Sequence, residues 1–135
     1  MKGSFVACSA HAFALSALIF SHYVTNAVIE IFLAAPFTLG TYGADWMRWH
    51  GVGCFFVGMV NAAAARWQDA RAKRDAAAAT AVIYGIWALQ NLGLMFTGRY
   101  SPAMWLHVVG CGLASFASVA TMRSLRSAPA APAAS

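Results

Sequence analysis

The sequence predicts an all-α fold: an integral membrane bundle of four helices running up and down, with the whole of 1–122 as one domain. Three observations lead there. Of the 135 residues, 61% are hydrophobic and only 10% are charged, against about a quarter charged in an ordinary soluble domain. Four apolar stretches are long enough to cross a bilayer, which takes roughly 20 helical residues. The segments joining the last three are too short to be domains, so consecutive spans should be antiparallel neighbours. Low hydrophobicity and high net charge, the marks of a disordered chain, are both absent.

The first span is expected over 5–35, stopped by Pro36, which cannot continue a helix. At about 1.5 Å per residue such a helix is longer than a hydrocarbon core, so some of it must tilt or leave the acyl region. It is also too long for a cleaved signal core, and it carries His22, Asn26 and Glu30, so it is read as a retained helix. The second span is expected over 46–65 and the third over 76–96. The fourth covers 102–122, with Pro102 at the helix start, where proline is best tolerated. The remainder, 123–135, is low-complexity Ala/Pro sequence and is expected to be disordered.

Charge placement predicts orientation. Lys2, Arg66, Arg71, Lys73, Arg74, Arg123 and Arg126 fall on one side, leaving Arg48 and Arg99 for the other. The positive-inside rule puts both termini and the middle loop on the cytoplasmic side, or its stromal or matrix equivalent. Tyr42, Trp46, Trp49, Tyr100 and Trp105 suit the headgroup belt of the opposite interface. The net charge of +5 is accounted for by topology and anionic lipid, without a nucleic-acid partner.

The second and fourth spans match at an offset of 57 residues, with seven identities in 20 ungapped positions. Among them His50, Val52, Gly53 and Cys54 align with His107, Val109, Gly110 and Cys111. A duplication would make two helical hairpins related by an axis along the membrane normal. The alternative is coincidence in a Gly/Ala-rich sequence.

Ionisable groups within spans are costly and normally face the bundle interior. Each predicted helix carries one polar or small stripe: His11, His22, Asn26 and Glu30; His50, Cys54 and Asn61; Thr80, Tyr84 and Asn91; His107, Cys111, Ser115 and Ser118. Counting inward from the span ends puts Glu30, His50, Asn91 and His107 at similar depth in the outer third. The same count puts His22 deeper and His11 near the basic side.

Four functional readings follow. His50 and His107, with His22 below them, can ligate a haem or chlorophyll-type cofactor through neutral imidazole. The pairs His50/Cys54 and His107/Cys111 offer two nitrogens and two sulfurs, a tetrahedral zinc-type set. Glu30 with His50 or His107 can do acid–base chemistry on a lipophilic substrate, of isomerase, cyclase or hydrolase type, with Arg48 or Arg99 holding an oxyanion or a substrate headgroup. The favoured reading is non-catalytic: an accessory or scaffold subunit packed by self-association or against other membrane subunits. Its small residues allow close helix approach, and its Trp and Phe offer large outward surfaces. The chain carries no P-loop, nucleotide fingerprint, nucleophile elbow or zinc-protease helix.

Overall fold

The structure, a computed structural model, describes residues 2–21, 25, 30–31, 41–98 and 100–126, and only the backbone of 41–47. The fold is all-helical, with four long helices: α1 (Lys2–Phe20), α2 (Thr41–Ala64), α3 (Ala70–Met95) and α4 (Met104–Arg126). α1, α3 and α4 are each long and apolar enough to cross a membrane. α2 is of similar length, but Asp45, Arg48 and His50 make its first half more polar.

The first helix ends at Phe20 rather than continuing to residue 35, and Thr25 lies outside any helix. Ser21 turns its hydroxyl back onto the Leu18 carbonyl at 2.6 Å. His22, Asn26 and Pro36 lie outside the described residues. α3 starts six residues before the expected span because Asp69 caps it, accepting from the backbone N–H of Arg71 and Ala72 at 2.7 and 3.1 Å. The turn from α3 to α4 uses Gly98 at φ 69°, a left-handed conformation that glycine adopts without strain. The end of α4 is at Arg126, and 127–135 fall outside the described residues.

α1 packs most extensively on α2, and α3 on α4, with smaller contacts of α1 with α4 and of α2 with α3. All four contacts are antiparallel. Along α1/α2, Ser9 donates to the Gly58 carbonyl (2.9 Å) and Ser16 to the Gly51 carbonyl (3.0 Å). These are two heptad-spaced serines set against two heptad-spaced glycines. Along α1/α4, the hydroxyls of Ser4 and Thr121 meet at 2.7 Å, and Cys8 Sγ lies 3.7 Å from Ser118 Oγ. Asn61 and Thr80 bridge α2 to α3, and Ser115 donates to the Ala81 carbonyl between α4 and α3.

The distribution of side chains is the reverse of a soluble protein's. Ser9, Ser16, Asn61, Thr80, Ser118 and Thr121 are buried, while Trp49, Leu89, Phe96, Leu106 and Phe116 are each more than 70% exposed. Small and hydrogen-bonding residues inside, with large apolar ones outside, is the pattern of helices packed in lipid. Among the described residues no buried side-chain nitrogen or oxygen lacks a partner. At one end, Phe5, Ala64, Ala65, Ala76 and Ala77 cluster with Met122. That end therefore gathers the seven basic residues that the sequence groups together.

Candidate metal centre

The centre of the molecule is built around Tyr84 of α3, which is fully buried. Its hydroxyl donates to the Cys8 carbonyl of α1 at 2.9 Å. That contact uses the only proton the phenol has, because a carbonyl can only accept. The second neighbour of the hydroxyl is His11 Nδ1, at 3.3 Å. His11 must therefore donate from Nδ1, which leaves the lone pair on Nε2.

That Nε2 points at α4. A Cβ on Gly110 would lie 3.2 Å from it, so the imidazole reaches this depth because position 110 carries no side chain. Beside it, the ring of His107 stacks on His11 with centroids 5.9 Å apart and an interplanar angle of 29°. One turn on, the fully buried Cys111 has its sulfur 3.7 Å from both ring nitrogens of His107. One donor atom from each of His11, His107 and Cys111 falls within 4.8 Å of the other two. Two imidazoles and a thiol are a borderline-soft donor set, suited to Zn²⁺ or Cu⁺ and poorly suited to Mg²⁺ or Ca²⁺. A ligating histidine whose other ring nitrogen is tied to a protein acceptor is also the usual arrangement around bound metal.

The residues singled out in the sequence are distributed unevenly. His107 and Cys111 belong to this cluster. His50, on α2, packs its ring on Trp87 at 5.5 Å. Trp87 stands opposite the α2 His/Cys pair much as His11 stands opposite the α4 pair, and an indole cannot ligate a metal. A Cβ at Gly53 would meet nothing within 4 Å, unlike one at its counterpart Gly110. Cys54 is fully buried but falls outside the group of donors that lie within 4.8 Å of one another. All three cysteines are free thiols. Glu30 is half-buried beside Ile31, whose carbonyl accepts the Ser101 hydroxyl ahead of α4, at the end away from the seven bases. His22 and Arg99 lie outside the described residues.

His11 is the residue that depth counting misplaces. With α1 running from Lys2 to Phe20 it sits at mid-helix, level with Gly110, and not near the basic side. A local signal for it exists: Ser4, Cys8 and His11 follow helical i, i+4, i+7 spacing and form the face that meets α4. Tyr84 already stands out on the inner stripe of the third span, but its joining of α1 to α3 depends on packing.

No protein-family model, curated protein or solved structure matches the chain.

Proposed function

We propose that this protein is a non-catalytic integral membrane subunit that holds a transition-metal ion, zinc by its donor set, between α1 and α4. The observation that carries the reading is the convergence of His11, His107 and Cys111 in the apolar centre, with Tyr84 fixing the His11 tautomer. Ionisable groups at such depth are expensive and tend to mark function. The Cys111 thiolate would offset half the charge of a divalent ion, which matters where water is excluded.

The accessory role rests on what surrounds this centre. α2 and α3 are joined by 65–69, and α3 and α4 by 96–103, too little chain for a soluble binding domain. The exposed Phe, Leu and Trp side chains are suited to lipid or partner helices. The basic end supports an orientation with both termini on the cytoplasmic side, or its organellar equivalent. A porphyrin-type cofactor on His107 is less well supported, since a macrocycle there would have to separate a pair of imidazoles that already pack together. The test is native purification in mild detergent with elemental analysis and an absorption spectrum. About one equivalent of metal and no Soret or chlorin band is expected, with the metal lost in His11→Ala and Cys111→Ser but kept in His50→Ala. A metal-free protein, or equal loss from His50→Ala, overturns the site.

A further inference from the structure

A groove of about 450 Å³ opens between α1 and α2 at the basic end. Its volume falls in the range of roughly 300–1,000 Å³ found for small-molecule sites. Lys2, Val6, Ala10 and Phe13 line it from one face of α1, and Ala62 and Arg66 from the α2 side. From Lys2 to Phe13 the helix rises about 16 Å, so a cationic mouth leads into an apolar trough. Ser9 also borders it, but its hydroxyl is committed to the Gly58 carbonyl at 2.9 Å. Phe13, farthest from the mouth, packs on Gly58 and against Phe55 at 5.5 Å.

The two cations at the mouth are exposed, and among the described residues neither is paired with a carboxylate. The acids nearest in sequence are engaged elsewhere: Asp69 caps α3, and Asp75 pairs with Arg74 at 3.4 Å. We propose that this groove binds a phospholipid with an anionic headgroup, its phosphate between Lys2 and Arg66 and one acyl chain along Val6, Ala10 and Phe13. Charge complementarity selects the headgroup. A guanidinium matches two phosphate oxygens at once, and an ammonium adds a second point charge. A zwitterionic headgroup would bring its own cation against both. No residue of the groove belongs to the metal centre.

Native mass spectrometry of the detergent-purified full chain tests this with phosphatidylglycerol, phosphatidylcholine and inorganic phosphate as probes. Phosphatidylglycerol should be retained at least about tenfold better than either of the others, a difference of about 1.4 kcal/mol. Lys2→Gln/Arg66→Gln should abolish that preference, and Arg126→Gln, a basic residue outside the groove, should keep it. Ala10→Phe fills the trough without touching charge and should weaken lipid binding by a similar factor. Equal retention of the two lipids, equal loss from Arg126→Gln, an unaffected Ala10→Phe, or phosphate binding as well as the lipid would each overturn the proposal.

Discussion

Tyr84 fixes the chemistry of the centre with one hydroxyl. Donating to the Cys8 carbonyl and accepting from His11 Nδ1, it decides which nitrogen of His11 faces α4. Tyr84→Phe keeps the ring but leaves both groups without that partner. It should cost about 1–3 kcal/mol of stability, read by thermal or denaturant unfolding in detergent. Metal affinity should fall roughly ten- to hundredfold in a competition titration, the usual effect of losing a group that orients a ligand. Gly110 gives a second expectation at this scale. Gly110→Ala puts a methyl 3.2 Å from His11 Nε2 and should displace the imidazole, with loss of bound metal. Gly53→Ala meets nothing within 4 Å and should be neutral or stabilising by up to about 1 kcal/mol through helix propensity. If the two alanines behave alike, the close approach of His11 to α4 is not what position 110 provides.

Helix pairing is set by small residues. On α1/α2, two serine hydroxyls reach two glycine carbonyls seven residues apart, and Phe13 and Phe20 lie over the same glycines. A Cβ at Gly58 would be 2.7 Å from the Phe13 ring, so one of them must move. Gly58→Ala is expected to destabilise the protein by about 1–3 kcal/mol, the usual cost of overpacking. Adding Phe13→Ala should recover some of that loss in a double-mutant cycle, whereas simple additivity would show that the contact does not limit packing. The His107/Cys111 pair could be read from the sequence because its i, i+4 spacing is local. For His11 the local spacing marks only an inward face, and its meeting with His107 and Cys111 depends on packing between residues about a hundred positions apart. It also depends on where α1 stops. A span carried to residue 35 puts His11 at the basic end, and the stop at Phe20 moves it to the centre. The matching His/Cys pairs of α2 and α4 suggest equivalent roles, but their environments differ: Trp87 faces one and His11 the other.

At the scale of the molecule, composition already indicated helices suited to lipid, and three of them have the length and hydropathy to cross it. What composition could not show is how the interior is organised. Ser, Thr, Asn, Cys and Tyr occupy the contacts between helices, while the large apolar side chains face outward. The antiparallel packing also collects seven of nine basic residues at one end. A probe in the 71–74 segment and a tag after Ser135 should therefore label from the same side of the membrane. Labelling from opposite sides would contradict four spans. The central claim is a metal ion held by imidazole and thiolate between α1 and α4. X-ray absorption at the edge of the co-purified metal tests it most directly. The expected result is a nitrogen shell at about 2.0–2.1 Å together with a sulfur shell at about 2.3 Å, the sulfur shell shrinking in Cys111→Ser. A shell of oxygen and nitrogen alone, or a sulfur shell unchanged by that substitution, would contradict the account.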